Sequence, residues 1–280
     1  MQRTRGNRTL RWCVRNAGVA PTRPAMKKPL LLLLLAVGPA APALAQHLEL
    51  SGRAAPSLAC FAGAGTRAAA TVRGNFFDAS PNGRTNNPYG QRLGVGFGAS
   101  VRAQHVGRRG LLAALEGGYN QAASRADVRT YDGTPLFYLG PAPLTEVADG
   151  TTRLRMRAVP VFAGVGQRLG GTGAVQVDAL VGPEWAVLLA AHEAGQGTHG
   201  GPFSPAGTAW QTDAPHPLAR RHDWRLRADL TAWYRRLGLT ASYALGLTDL
   251  RDALADVPAY EVPGPVHSRT LRVGLAYRVR

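Results

Sequence analysis

The sequence predicts an all-β fold, specifically an eight-stranded antiparallel up-and-down β-barrel. After residue 46, apolar residues alternate with small or charged ones, which is the period of β-strands and not of helices. Most of the alternating segments exceed the about 5 to 6 residues that are usual for strands of globular proteins. The connections between them are alternately long and short. An even number of strands therefore closes with both termini on the short-turn side.

The predicted strands have one apolar side and one small or charged side. In the clearest case, Leu93, Val95 and Phe97 share one side while the intervening glycines share the other. Strands are predicted at residues 57–72, 91–105, 111–125, 151–166, 174–190, 222–234, 238–248 and 267–279. Long connections are expected at 73–90, 126–150, 191–221 and 249–266, and short ones at 106–110, 170–173 and 235–237. A soluble β-sandwich also alternates, but it does not require this division of the connections.

The N-terminal part has the pattern of a secretory signal peptide. A positive start at Lys27 and Lys28 and an apolar run precede a cleavage site between Ala45 and Gln46. The chain then divides into an upstream extension or misassigned start at 1–25, the signal peptide at 26–45 and the barrel domain at 46–280. Cys60 is the single cysteine after the cleavage site, so the mature chain has no intrachain disulfide and no cysteine for a lipid anchor.

The strong positive charge does not indicate a nucleic-acid-binding protein. Of the 33 Lys and Arg residues, eight lie in residues 1–45, which contain none of the 17 Asp and Glu residues. The rest of the chain has no lysine, and its arginines alternate with apolar residues on the predicted strands. A nucleic-acid interface would instead gather basic residues on one face with stacking aromatics.

Alternation assigns a network of arginines and carboxylates to the interior of the barrel. Side chains fill the interior of an eight-stranded barrel, and an arginine facing lipid costs about 2 to 4 kcal/mol at the midplane. The predicted network consists of Arg102, Glu116, Arg153, Arg155, Arg157, Asp178, Glu184, Arg225, Arg227, Asp229, Arg272 and Arg278. Its expected role is structural, and a selectivity ring for anions is the alternative.

Alternation and loop lengths together predict a transmembrane barrel in the cell outer membrane. Short turns face the periplasm and long loops face the outside in such barrels. No stretch after the signal peptide approaches the roughly 20 apolar residues of a transmembrane helix. Outer membrane lipids and lipopolysaccharide are the expected surroundings, and arginines at the outer rim suit the phosphates of lipopolysaccharide.

Three segments carry a resemblance to a known family. They are Arg155–Phe162 with Pro160 inside a strand, Asp178–Leu189 with its Gly-Pro step, and Tyr243–Leu250 with its Gly-Leu-Thr sequence. In this order they resemble strands of the PorT-like outer membrane β-barrel domains, common in Bacteroidetes. The resemblance covers most of residues 55–280. It implies a structural, adhesion or secretion-associated role, with a surface or secretion partner that the sequence does not identify.

The final strand resembles the assembly signal of outer-membrane barrels. Gly274, Tyr277 and Val279 occupy its glycine, aromatic and terminal apolar positions. The usual terminal aromatic residue is replaced by Val279 followed by Arg280. The resemblance implies insertion by the barrel assembly machinery.

The main functional hypothesis is a non-enzymatic barrel without a cofactor. The alternatives are a narrow outer membrane pore, a lipid A-modifying enzyme that uses Ser204 or His216, and a soluble periplasmic β-barrel. The loop histidines lack the spacing of metal ligands, so no metal is expected. These histidines are His192, His199, His216, His222 and His267.

Overall fold

The computed structural model describes residues 45–74, 83–133, 144–170 and 174–279. Within these ranges the chain forms eleven β-strands and two one-turn 3-10 helices, the latter at Arg108–Gly110 and Ala259–Glu261. The strands are β1 (Ala45–Ala62), β2 (Ala69–Gly74), β3 (Arg84–Thr85), β4 (Arg92–Gly107), β5 (Leu111–Gly133), β6 (Leu144–Leu169), β7 (Val175–Gly200), β8 (Thr208–His216), β9 (His222–Tyr234), β10 (Leu237–Gly246) and β11 (His267–Arg278). No helix of this part is long and apolar enough to cross a membrane.

Eight of these strands close into a ring, in the order β1, β4, β5, β6, β7, β9, β10 and β11. Each is antiparallel to both neighbours, and β1 closes the ring by pairing with β4 on one side and β11 on the other. The protein is therefore an eight-stranded antiparallel β-barrel, which confirms the predicted fold class. The remaining strands β2, β3 and β8 belong to the long connections.

The connections at the two ends of the barrel differ in length, as predicted. At the short-turn end, β9 joins β10 through Arg235 and Arg236, and Arg235 adopts a positive φ of 56°. The β4–β5 turn uses Arg109 and Gly110, with φ of 63° and 77°, a conformation that suits glycine better than arginine. At the opposite end, β8 extends the sheet from β7, and β2 pairs in parallel with the upper part of β5.

The position of the first strand differs from the prediction of residues 57–72. The structure places β1 at Ala45–Ala62, and residues after Ala62 enter the long connection to β4. The earlier segment also alternates, with Leu48 and Leu50 outward and Glu49, Ser51 and Arg53 buried. Small residues near Pro56 interrupt the alternation, so the spacing of apolar residues did not indicate a strand that begins before residue 57.

Three layers fill the interior along the barrel axis. Toward the short turns lies an apolar cluster of Val106, Leu112, Ala114, Phe162 and Leu180. Charged side chains occupy the middle, and a second, larger apolar cluster fills the loop end. The inward-facing residues are buried and the outward-facing ones exposed on most of each strand, for example in β9, where the two alternate without a break.

Pro160 interrupts one ladder of the sheet, as its missing N–H predicts. In the β5–β6 ladder, pairing passes from Gly117 and Val161 directly to Asn120 and Ala158, so the intervening residues make no paired rungs. On the other side of β6, a bulge lies between Arg157 and Ala158, where β7 contains an extra residue, Leu189. The barrel wall is therefore irregular at mid-height, next to the charged layer.

Candidate functional site

The centre of the lumen is an ion-pair network joining β1, β4, β5 and β9. Arg102 binds Asp229 at 2.9 Å and Glu116 at 2.6 Å. Arg53 binds the same Asp229 at 2.9 Å and also contacts the hydroxyl of Thr231. Because each carboxylate accepts hydrogen bonds from several arginines, the charges are neutralised where water is largely excluded.

Arg227 and Glu184 extend this network across the barrel. Arg227 binds Glu116 at 3.0 Å, Asp229 at 2.7 Å and Glu184 at 3.2 Å. Glu184, which is fully buried, also accepts from Arg272 at 2.9 Å and Arg225 at 3.2 Å. The guanidinium of Arg227 lies 4.6 Å from the ring centre of Phe162, a cation–π contact that joins the charged layer to the apolar cluster below.

A smaller group of ion pairs lies toward the short-turn end. Arg168 binds Asp178 at 2.7 Å and Glu49 at 2.6 Å, and Arg278 reaches Glu49 at 3.2 Å. Asp178 also accepts hydrogen bonds from Gln104 at 2.8 Å and from the indole of Trp233 at 2.9 Å. These contacts tie β1, β6, β7 and β11 together near the chain ends.

Nine residues of the predicted charge network face the lumen and take part in these ion pairs. They are Arg102, Glu116, Asp178, Glu184, Arg225, Arg227, Asp229, Arg272 and Arg278. The same ion pairs include four charged residues that were not predicted to face the lumen. These are Glu49, Arg53, Arg168 and Asp223. Glu49 and Arg53 were missed with the first half of β1, and Arg168 lies beyond the predicted end of its strand at residue 166. Asp223 lies inside the predicted strand 222–234 but was not assigned to the network.

Arg153, Arg155 and Arg157 do not face the lumen, which corrects their predicted placement. Leu154 and Met156, between them, are buried inside the barrel, whereas Arg155 and Arg157 are exposed on the outer face. The prediction assumed that no arginine faces outward on a lipid-exposed strand. However, β6 is 26 residues long and extends beyond the apolar part of the wall, so this assumption does not hold for its first half.

The long β10–β11 connection, residues 247–266, fills the loop end of the lumen with apolar side chains. Leu250, Ala253, Leu254, Val257, Val262 and Val266 pack against Leu154, Met156, Leu188 and other inward residues of the wall. Tyr89, from the β1–β4 connection, lies in the same cluster and donates a hydrogen bond from its hydroxyl to the carbonyl of Leu250 at 2.6 Å. We call this cluster the apolar plug.

A buried histidine links the loops beside the plug. The ring of His216 bonds Glu193 of β7 at 3.0 Å through Nε2 and Asp256 of the β10–β11 connection at 2.9 Å through Nδ1. Burial alone would lower the pKa of His216, but the two carboxylates outweigh it and raise the pKa above its usual value. Arg84 of β3 binds the same Asp256 at 2.8 Å. Three of the long connections are thus joined through one carboxylate.

The residues considered for an enzymatic site do not come together. Both ring nitrogens of His216 are occupied by carboxylates, and Asp213 pairs with His192 at 2.6 Å. Ser204 lies in a different cluster, where Glu146 also binds His199 at 2.7 Å. In the described part of the chain, no group of three or more His, Cys, Asp or Glu side chains is arranged to hold a metal ion.

The outer surface of the barrel has an apolar belt, to which all eight barrel strands contribute exposed side chains. It includes Leu48, Leu58, Val95, Phe97, Val101, Leu111, Leu115, Val161, Val165, Val175, Val181, Leu226, Leu230, Leu237, Leu239, Leu271, Val273 and Leu275. Tyr234 and Tyr277 border the belt at the short-turn end, and Trp224 and Tyr243 lie toward the loop end. Tyr277 and Val279 of the predicted assembly signal are exposed, and Gly274 lies between them and the buried Arg272.

Comparison with known proteins gives weak likenesses only. No family model and no curated protein matches the chain. Among solved structures, Ail, the attachment invasion locus protein of Yersinia pestis, is 13% identical in its complex with sucrose octasulfate, with a TM-score of 0.32 over 83% of this chain and 99% of that chain. Neisserial surface protein A is 12% identical, with a TM-score of 0.32 over 82% of this chain and 96% of that chain. The fold assignment rests on the strand pairing, and the PorT-like resemblance stays a prediction.

Several predicted features fall outside these observations. The upstream extension at 1–25 and the signal peptide at 26–45 lie, apart from Ala45, outside the described part of the chain. Of the predicted cleavage site, Ala45 and Gln46 are described only as backbone at the start of β1. Recognition by the barrel assembly machinery also stays a prediction.

Proposed function

We propose that this protein is a non-enzymatic β-barrel of the bacterial outer membrane that holds a fixed set of loops at the cell surface, in an adhesion or secretion-associated role. The apolar belt is the observation that carries this proposal. Monomeric soluble proteins rarely expose continuous apolar patches above about 300 to 600 Å². A belt that surrounds the barrel while charges fill its interior is the arrangement expected in lipid, and it argues against a soluble periplasmic barrel.

The contents of the lumen favour a closed barrel over a narrow pore. The cavity beside Arg53, Glu116, Asn120 and Arg227 has a volume of about 30 Å³, the space of a water molecule or two. Beyond it, the apolar plug closes the loop end. An ion that crossed would have to break several buried ion pairs and then pass through an apolar layer.

The structure of the loops supports display and not catalysis. Ser204 and His216, the residues on which a lipid A-modifying activity would depend, belong to separate hydrogen-bonded clusters. Meanwhile β7 and β8 form a continuous hairpin above the barrel, and ion pairs fix the neighbouring connections. Connections whose described parts are held in this way suit recognition of a partner outside the cell.

The proposal is tested by membrane fractionation, heat-dependent gel mobility and conductance. The protein is expected in the outer membrane fraction. After detergent extraction it is expected to migrate faster unboiled than boiled and to give no discrete current steps in a planar bilayer. Recovery in the soluble periplasm would overturn the membrane assignment. Reproducible current steps would replace the closed barrel by the narrow pore.

A further inference from the structure

Four arginines on the outer wall of the barrel form a cluster. Arg153, Arg155 and Arg157 project outward at alternate positions of β6, and Arg125 of β5 lies directly opposite Arg153. Among the residues that the structure describes, none of the four forms an ion pair with an acidic side chain within 4.0 Å, in contrast to their neighbours Arg92 and Arg129. We call these four residues the outer arginine row.

The row brings like charges together at a cost in stability. Directly opposed residues of antiparallel strands have Cβ atoms about 4.5 to 5.5 Å apart, and like charges there are destabilising. Arg125 and Arg155 both repel the guanidinium of Arg153. On the neighbouring strands β7 and β8, His192 and Asp213 lie opposite the row, and these two side chains pair with each other at 2.6 Å. Asp127, the next acidic residue along β5, pairs instead with Arg92 and Arg129. The positive charges are therefore left for a ligand from outside.

The position of the row along the barrel defines where such a ligand lies. Val159 and Val161, the next outward residues of β6, belong to the apolar surface, and Tyr119 lies below Gln121, the residue opposite Arg157. Tyr119 packs against Phe97 with ring centres 5.9 Å apart. Aromatic residues mark the membrane–water interface in such barrels, so the row begins at the level of the outer headgroups.

Arg153 is also held in place by the backbone. Its guanidinium donates a hydrogen bond to the carbonyl oxygen of Val95, at the irregular part of the β4–β5 ladder between Leu93 and Phe97. The side chain thus lies across β5 and covers part of the wall, where Ala123 is buried although it faces outward. An arginine fixed in this way loses less conformational freedom when it binds an anion.

We propose that the outer arginine row binds the phosphate groups of an anionic lipid of the outer leaflet, such as the phosphorylated sugar anchor of lipopolysaccharide. Guanidinium groups form paired, charge-assisted hydrogen bonds with phosphate oxygens. Arg125 and Arg153, which lie on opposed residues, match a headgroup that carries two phosphates, while the lipid's acyl chains lie along the apolar belt below. The inference rests on the proposed location in the outer membrane.

The test measures binding of lipid A to the folded protein in a zwitterionic detergent by calorimetry. Bisphosphorylated lipid A is expected to bind at least about tenfold more tightly than its dephosphorylated form, because the charge-assisted contacts are lost. The triple variant Arg125→Gln/Arg153→Gln/Arg155→Gln is expected to remove this difference. The matched control Arg108→Gln/Arg109→Gln/Arg236→Gln removes the same charge at the short-turn end and is expected to keep it.

A second variant leaves Arg153 in place, because Arg153 contacts the backbone and its replacement could disturb folding. Arg155→Gln/Arg157→Gln changes two exposed side chains, and it is expected to weaken binding while keeping the heat-dependent gel mobility. Equal binding of the two lipids, or an unchanged affinity of the variants, would overturn the proposal. Full competition by millimolar inorganic phosphate would identify a plain phosphate site and reject the lipid. Recovery of the protein outside the membrane would instead refute the proposed function, whatever the binding in detergent.

Discussion

The middle of the lumen and its loop end are both filled, but by different chemistry and from different parts of the chain. The middle is filled by arginines and carboxylates that project from the barrel strands, such as Arg102, Glu184 and Arg227. The loop end is filled by the apolar plug, in which Leu250 and Leu254 come from a connection and meet the wall residues Leu154 and Leu188. The first is part of the wall, and the second is a separate segment placed against it.

Because of this difference, substitutions in the charge network and in the apolar plug are expected to destabilise different parts of the protein. Removing one partner of the charge network leaves other charges buried and unpaired, so the cost falls on the whole barrel. Removing apolar contacts of the plug loosens a connection whose two ends are still held by β10 and β11, so the cost is local. The following substitutions separate the two.

The largest effect is expected for Glu184→Gln. The carboxylate accepts hydrogen bonds from Arg225, Arg227 and Arg272, and its loss leaves an excess of buried positive charge. Unfolding in urea, followed by gel mobility, is expected to show a loss of about 3 to 5 kcal/mol. The control Asp149→Asn removes a carboxylate with 87% of its side chain exposed, and it is expected to change stability by less than about 0.5 kcal/mol. Equal effects of the two would show that the network does not stabilise the barrel.

An intermediate effect is expected for Leu254→Ala in the plug. Leu254 is buried, and replacing a buried leucine by alanine costs about 2 to 5 kcal/mol in the stability of the part in which it packs. Hydrogen exchange is expected to accelerate in residues 247–266, while the urea midpoint of the barrel stays the same. Tyr260→Ala, in the same connection but 79% exposed, serves as the control. A lowered barrel midpoint in the Leu254 variant would show that plug and wall unfold together.

The smallest effect is expected from pH, through His216. Because its folded-state pKa is raised, the ion pairs with Glu193 and Asp256 contribute stability below the usual histidine pKa of about 6.5 and lose it as pH rises through the folded value. Protease cleavage in the β10–β11 connection is therefore expected to become faster from mildly acidic to alkaline pH. In His216→Gln this dependence should flatten. A steeper profile in the variant would contradict the assignment of His216.

The same contrast explains which parts could be predicted from the sequence. Alternation reports local geometry, so it located residues such as Arg102, Glu116 and Asp229 on the inner side of their strands. The plug could not be found in this way, because its residues have no period of two and meet the wall across a long sequence separation. Joining Leu250 to Leu154 depends on how the connection folds back into the lumen.

The outer arginine row shows a second limit. The alternation of residues gives the two faces of β6, but it does not give the height at which the lipid ends. Arg155 was predicted to face inward because that height was not known. The prediction that Arg155 faces inward assumed that the whole strand lies within the membrane, and β6 is longer than that. The first strand was misplaced for a related reason, since small residues near Pro56 carry little information about either face.

The unequal strand lengths make the outer rim of the barrel oblique. β6 and β7 each have 26 residues, whereas β11 has 12. At about 3.3 Å per residue and a tilt of about 40°, this difference lifts one side of the rim by roughly 35 Å over the other. In the outer membrane location proposed above, an antibody or a bacteriophage would meet the tall side first. In that location the short side would lie nearer the membrane, so selection to escape recognition should fall on β7 and β8 and spare β10 and β11.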